Sequence, residues 1–316
     1  MTTVRDDARG RPGTERKGGM LDYRVHTFLA VYRQRSYTRA ARELHISQPA
    51  VTQHIRQLEQ HYGCALFAKT GRGVEPTAAG EELSRALGVM ANDEERLQRE
   101  LRPLNENASM QAPLRFGCTR TVADYVAPRI LAAHLARRPD DQILMQAENT
   151  TELLGQIEAG SIDFALVEGS FDRARFDHAV FSCEPYVAIA QHALDAMRLE
   201  DLLEQRIILR EPGSGTREIL ERYLAVRNLS VRDFAGIIEL ASIPAIKACV
   251  RAGAGISFLY RAAVESELAE RELADVTPAD VSIEHHFELI WQRGSLFAER
   301  YRALARTWQA YASTTA

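Results

Sequence analysis

Cysteine is scarce in this sequence: four in 316 residues, at Cys64, Cys118, Cys183 and Cys249. No two form a Cys-x-x-Cys pair and no His/Cys spacing suits zinc, so neither a disulfide framework nor a structural metal is expected. Reduced thiols in a cytoplasmic protein, with no metal and no cofactor, are the predicted state. No apolar run approaches the roughly 20 residues a membrane span needs, and no membrane partner is expected. The first residues, "MTTVRDDARGRPGTERKGG", have no apolar core of a secretory signal, so residues 1–19 read as a disordered extension. Signatures of catalysis are missing too. "GSGTR" is not followed by the Gly-Lys-Ser/Thr of a phosphate loop, and "RAGAGISF" lacks the third glycine of a dinucleotide fingerprint. His178, His192, His285 and His286 are scattered, and the adjacent pair would point to opposite faces of a strand.

What is present is enough apolar content, 46% of residues, to bury a core in a chain long enough for two or three units. Charge is unevenly spread. Through Pro76 there are 13 Lys/Arg against 7 Asp/Glu, a surplus of +6, so residues 77–316 carry −10 of the net −4. A basic front end on an acidic body points to a polyanionic partner for the front alone.

From Leu21 the pattern is helical, with Val25, Phe28, Leu29 and Tyr32 on one face. A short second helix is expected with Thr38 as N-cap, and a third begins at Ser47. Within "YTRAARELHISQPAVTQHIRQLEQHYG", Leu44, Val51, Ile55 and Leu58 form a core stripe, with His45-Ile46 in the turn. Ser47 caps the third helix, and Pro49 is tolerated in its first turn because its missing N–H would have been an orphan. Gln48, Pro49, Thr52, Gln53 and Arg56 are left facing outward. Gln can pair bidentately with adenine, Thr and Pro can touch a thymine methyl, and Arg can reach guanine or phosphate. A merely solvated face would carry more Glu/Lys pairs.

"CALFAKTGRGVEPT" reads as a small hairpin. The stretch after Thr77 reads as one long helix in which Leu83, Leu87, Met90, Leu97, Leu101 and Leu104 follow a 4-3 alternation, a pairing seam interrupted at Glu94. Beyond the punctuation from Pro103 to Pro113, strands alternate with helices: "LRFGC", "QILMQA", "IDFALV", "YVAIA", "RIILR", "GIIEL", "GISFLY" and "HFELIW". That predicts an α/β sheet with a mostly parallel core.

Taken in order, the Ala-Ala of the second helix, Ser-Gln-Pro-Ala-Val, Ile-Arg-x-Leu-Glu, Leu-Phe and Thr-Ala-Ala-Gly resemble the winged helix-turn-helix of the LysR-type transcriptional regulators. The resemblance implies an α/β protein with three parts: an N-terminal winged helix-turn-helix (20–77), a linker helix and hinge (78–112), and a two-lobed effector domain (113–316) of the periplasmic-binding-protein-like type 2 fold. Lobe I would comprise 113–186 and 287–316, and lobe II 187–286. It further implies double-stranded promoter DNA as partner, a homodimer assembling to a homotetramer, and RNA polymerase as the machinery affected. Position by position, Gln48, Pro49, Thr52 and Gln53 match base-reading positions, with Ser47 opening their helix. Ser36 and Arg56 match backbone contacts. Lys69 stands where Arg is usual, Arg72 is retained in the wing, and Pro76 replaces the usual Leu.

Such a domain takes its ligand where strand ends meet helix starts. Four stretches qualify: Thr119, Arg120 and Thr121; Asn149 and Thr150; Glu168 and Gly169; and Ser214, Gly215 and Thr216. Hydroxyls, Arg120 and two helix starts together point to a small anionic effector, while Glu168 would oppose a polyanion. "REPGSGTR" is similar to the run in family members that govern sulfur assimilation and carbon fixation. The alternatives are an enzyme acting on a bound anion, for which no catalytic constellation is found, and a transport binding protein, which would not need the front domain.

Overall fold

The computed structural model describes residues 20–71, 73–105, 112–195 and 197–314. The expected extension 1–19, the wing residue Arg72 and much of the punctuation before Pro113 lie outside the described residues. The chain divides into two compact units, one ending at Glu94 and the other beginning at Glu95.

The first unit opens with α1 (Tyr23–Gln34), α2 (Tyr37–Leu44) and α3 (Gln48–Tyr62). Phe28, Val31, Ala40, Ala41, Val51 and Ile55 are buried in one cluster. The two alanines let α2 approach its neighbours closely, since the contact side chains set the interaxial distance. The cap of α2 is Ser36 rather than Thr38: its Oγ accepts from the Arg39 N–H at 3.3 Å. Starting the helix two residues earlier brings Tyr37 into it, with its ring edge-on against Phe67, 6.3 Å away. His45 takes a left-handed conformation to close the turn, and its N–H bonds back to the Ala41 and Arg42 carbonyls.

Strands β1 (Phe67–Thr70) and β2 (Gly73–Pro76) form an antiparallel hairpin. Glu59 of α3 accepts from the Leu66 N–H at 2.9 Å, which ties the hairpin to that helix. Helix α4 (Ala78–Asn105) follows, capped by Thr77, whose Oγ1 accepts from the Gly80 N–H at 3.1 Å. Leu87 is buried in the core of the first unit and Leu83 packs against it, so these two positions of the expected seam are used within the unit. Met90, Leu97 and Leu101 remain 53%, 41% and 51% exposed. The side chain of Leu104 lies outside the description.

The second unit starts inside α4. Arg96 is buried over the rings of Phe297 (4.4 Å) and Tyr301 (4.8 Å), and hydrogen-bonds Glu100 and the Tyr301 hydroxyl. Lobe I has parallel strands β3 (Leu114–Thr119), β4 (Ile143–Glu148) and β5 (Phe164–Val167), in the order β4-β3-β5. Its helices include α5 (Arg120–Tyr125), α6 (Ala127–Leu135) and α7 (Thr150–Glu158). The long β6 (Phe176–Ala190) then crosses into lobe II. There stand α8 (Leu199–Leu202), β7 (Arg206–Leu209), α9 (Gly215–Val226), β8 (Gly236–Glu239), α10 (Ile243–Arg251), β9 (Ser257–Tyr260), α11 (Arg261–Ala269) and β10 (Ala274–Asp275). The return is β11 (Glu284–Gln292), and α12 (Ala298–Thr314) closes on lobe I.

The expected mostly parallel sheet is corrected here. β7 and β8 are parallel, as are the three strands of lobe I, but every pairing made by β6 is antiparallel, and β11 is antiparallel to both β6 and β5. A strand that leaves a lobe and one that returns beside it must run in opposite senses. Their register shifts at Phe287/Glu288, where β6 moves from one lobe to the other. One core cluster spans both lobes, and Trp308 packs edge-on against Phe116 at 5.1 Å. No helix among the described residues is long and apolar enough to cross a membrane.

Candidate functional site

On α3 the core stripe is confirmed residue by residue: Val51, Ile55 and Leu58 are buried. Gln48, Pro49, Gln53 and Arg56 are exposed and Thr52 is half-exposed. Ser47 caps the helix through the Ala50 N–H at 3.3 Å. Gln48 Nε2 donates to Thr52 Oγ1 at 3.0 Å, and that hydroxyl donates to the Gln48 carbonyl at 3.1 Å. These bonds tie the two outward side chains to each other and to the first turn of the helix. Ser36 is half-buried at its cap, and Lys69 is exposed on β1.

The second cluster gathers residues from both lobes. Glu168, just past β5, is 2% exposed. Its Oε1 accepts from the Thr121 hydroxyl of lobe I at 3.0 Å and from the Thr216 hydroxyl of lobe II at 2.9 Å. Tyr186 on β6 fixes Thr216 by donating to its carbonyl at 2.8 Å. A Cβ on Gly169 would stand 2.4 Å from Thr150 Oγ1, and one on Gly215 would stand 3.0 Å from both Glu168 Cγ and Gly169 Cα. Only glycine lets the start of α9 lie this close to the end of β5.

Six buried polar atoms around this junction have no hydrogen-bond partner within the protein: Thr119 Oγ1, Thr150 Oγ1, Glu168 Oε2, Arg210 Nη1, Ser214 Oγ and the Tyr260 hydroxyl. Ser or Thr ahead of a helix is usually a cap. Yet Thr119 before α5 and Ser214 before α9 make no side-chain cap bond. Asn149 does: it forms a capping box with Glu152, its side chain accepting from the Glu152 N–H at 2.9 Å. Asn149 is therefore committed to α7, and its neighbour Thr150 brings the buried hydroxyl. Arg120 is half-exposed; a hydrogen bond with Glu152, then burial, raises the Glu148 carboxyl, and the Arg120 charge pulls weakly the other way there and on Glu211.

Burial pushes the Glu168 carboxyl up to about 7, against the opposing pull of the Thr121 and Thr216 hydroxyls and the Arg210 charge. Arg210 is itself held in a fork by Glu211, with Nε–Oε2 at 2.8 Å and Nη2–Oε1 at 2.9 Å. Burial would raise the Glu211 carboxyl, but that fork outweighs it and holds the group below its usual range. Burial, aided by the Glu168 charge, keeps the Tyr260 phenol protonated. Arg210 and Tyr260 are absent from the sequence-derived set. Both end a strand of lobe II, so the strand-end rule applied to "RIILR" and "GISFLY" would have found them. A separate cavity of about 250 Å³ lies between α6 and α12 and includes Leu114, Arg138, Tyr301 and Leu304. It contains none of the expected effector residues, and His134 in its wall is already bonded to Asp141 and Trp308.

A winged helix-turn-helix carried on the same chain as a two-lobed α/β domain with a polar interlobe junction defines a ligand-responsive DNA-binding protein. Residues 23–81 match the bacterial regulatory helix-turn-helix of the lysR family, and residues 107–312 match the LysR substrate binding domain. A RuBisCO operon transcriptional regulator from Allochromatium vinosum is 32% identical over 278 residues, covering 85% of this chain and 89% of its own. The HTH-type transcriptional regulator CfxR of Cupriavidus necator is 31% identical over 296 residues, covering 91% and 89%. Among solved structures, full-length LysG from Corynebacterium glutamicum, with effector Arg bound, superposes with a TM-score of 0.64 at 19% identity, over 93% of this chain and 99% of that one. That likeness bears on the fold. The chain belongs to the LysR family: it is a transcriptional regulator that binds promoter DNA and a small-molecule effector, and it is not an enzyme.

Proposed function

We infer that α3 docks in the major groove, with Gln48, Pro49, Thr52 and Gln53 against base edges and Ser36, Ser47 and Arg56 against the backbone. Lys69 and Arg72 of the wing reach an adjacent minor groove or phosphate. The observation that carries this reading is an exposed Gln/Thr/Arg face set on a fully buried Val51-Ile55-Leu58 stripe. Met90, Leu97 and Leu101 are the pairing surface of a cytoplasmic dimer that assembles to a tetramer. A small anion binds at the interlobe junction among Thr119, Arg120, Thr121, Thr150, Glu168, Gly169, Ser214, Gly215 and Thr216, and shifts the assembly between shapes that bend the operator differently and change RNA polymerase access. The six unpartnered buried atoms support that placement, since buried polar groups are as a rule hydrogen-bonded.

The test is a binding titration of the full-length protein on its own upstream DNA against random duplex at moderate ionic strength. Gln48→Ala is expected to cost about 1–3 kcal/mol of specific affinity and to leave nonspecific binding nearly unchanged. An unaltered operator preference removes Gln48 from base reading. Thr119→Val and Ser214→Ala are expected to silence the effector response while basal DNA binding persists.

A further inference from the structure

The interlobe junction carries enough detail to name a ligand class, on the premise that the effector binds there. Its partnerless atoms differ in what they can do. Arg210 Nη1 can only donate. The hydroxyls of Thr119, Thr150, Ser214 and Tyr260 can donate or accept. Glu168 Oε2, when ionised, can only accept. Above about pH 7, where burial no longer keeps the Glu168 proton, a carboxylate can meet Arg210 and the hydroxyls but not Glu168 Oε2, because two carboxylate oxygens repel.

Charge sets a second limit. Arg210 is 3% exposed and its fork is already filled by Glu211, so its positive charge is matched before any ligand arrives. Two other cations stand near: Arg120, with Glu148 and Glu211 within its electrostatic reach, and Arg217, which bonds the Arg210 carbonyl and is paired with Glu221 and Glu239. Glu168 adds a further carboxyl at the centre, bonded to both lobes. No surplus of positive charge remains for a doubly charged ligand, and each uncompensated charge taken out of water costs several kcal/mol. The two threonines occupy Oε1 alone, which leaves Oε2 on the far side of a carboxyl that cannot be rotated away without breaking both bonds, one from Thr121 within lobe I and one from Thr216 across the lobes.

We propose that the junction selects a small effector carrying one carboxylate together with a hydrogen-bond donor, a hydroxy acid or an amino acid, and that Glu168 is the specificity-determining residue that accepts the donor through Oε2. Plain monocarboxylates leave Oε2 unmet. Dicarboxylates place a second negative charge against it. Sites built to bond a ligand's O–H or N–H discriminate strongly against analogues lacking it, because the buried acceptor is then left unpaired.

The experiment uses full-length protein at pH 8, where Glu168 is ionised, and four three-carbon probes matched in size: lactate, alanine, propionate and malonate, read by thermal shift and calorimetry. Lactate or alanine is expected to stabilise the wild type, and propionate and malonate to bind at least about tenfold more weakly. Glu168→Gln is nearly isosteric, keeps an oxygen for the two threonines and turns the far side into a donor, so it is expected to weaken alanine, whose ammonium can only donate, and to strengthen malonate, whose second carboxylate accepts. Glu168→Asp, a second variant that withdraws the carboxylate by one methylene, is expected to weaken lactate or alanine without creating a malonate response. Equal binding of all four probes, or an order unchanged by both variants, overturns the role of Glu168 but leaves the junction as the effector site. A response that survives in Thr119→Val and Ser214→Ala, or no response to any probe, overturns the junction itself.

Discussion

On α3 the polar side chains stand outside a finished core: Val51, Ile55 and Leu58 are buried, while Gln48, Gln53 and Arg56 are in solvent. At the interlobe junction the polar groups are themselves the interior, with Glu168, Thr121 and Thr216 each no more than 2% exposed. The first surface can lose any one polar residue without consequence for folding, because water already satisfies it. In the second, loss of Glu168, Thr121 or Thr216 reaches the fold, because their bonds to one another lie in the interior. A surface that reads a large, rigid polyanion can be prepared in full before contact. A site that reports a small molecule must leave part of its bonding incomplete until the molecule arrives.

The sharpest way to break this contrast is through the cores. Phe28 is fully buried in the first unit and has no role in the second. Phe28→Ala is expected to cost that unit about 3–5 kcal/mol. Calorimetry should then resolve an early transition for the first unit, with the second melting as before; a common shift of both would show that the units do not unfold separately.

Next in size is the pH dependence of the junction. The folded protein keeps the Glu168 proton up to about pH 7, whereas an unfolded chain releases it near 4.5, the ordinary value for a glutamate carboxyl. Between those values the native state binds more protons, so Glu168 makes stability fall as pH rises from about 4.5 to 7 and adds no slope above. The span corresponds to about 3 kcal/mol. Denaturant titrations at pH 5 and pH 8 should show that loss in the wild type and a reduced loss in Glu168→Gln; equal slopes would mean that the carboxyl is not buried as described. Smallest of all is Arg56→Ala. It should weaken binding to every duplex alike, lower the dependence of log affinity on log salt by about one, and leave folding stability within about 0.5 kcal/mol.

The same contrast explains what could be read from the sequence. The first unit is local: Ala40-Ala41, Ser47-Gln-Pro and the Val51-Ile55-Leu58 stripe specify it at short range. The one difference there lies between two cap-type residues two positions apart, Ser36 and Thr38, a choice that short-range pattern leaves open. In the second unit the strands are legible except for the two-residue β10 and the first half of β6, whose residues "DHAVFSCE" show no clean alternation of burial. The antiparallel sense of β6 and β11 follows from a crossing between lobes that no local pattern records. Arg210 and Tyr260 escaped for a similar reason. Each is an ordinary strand-terminal residue until the fold brings it to within reach of Glu168, 42 and 92 positions away along the chain. The use of one leucine spacing for two purposes, Leu83 and Leu87 inward and Leu97 and Leu101 outward, was likewise invisible to periodicity, which fixes a face but not its neighbour.

Both tryptophans of the chain, Trp291 on β11 and Trp308 on α12, lie in the second unit, and both are almost completely buried. The DNA-binding unit has tyrosines alone. Emission excited at the red edge of indole absorption therefore comes from the sensor only, so ligand titrations of the intact, unlabelled protein, even with duplex present, have an optical channel in which the reading head is dark.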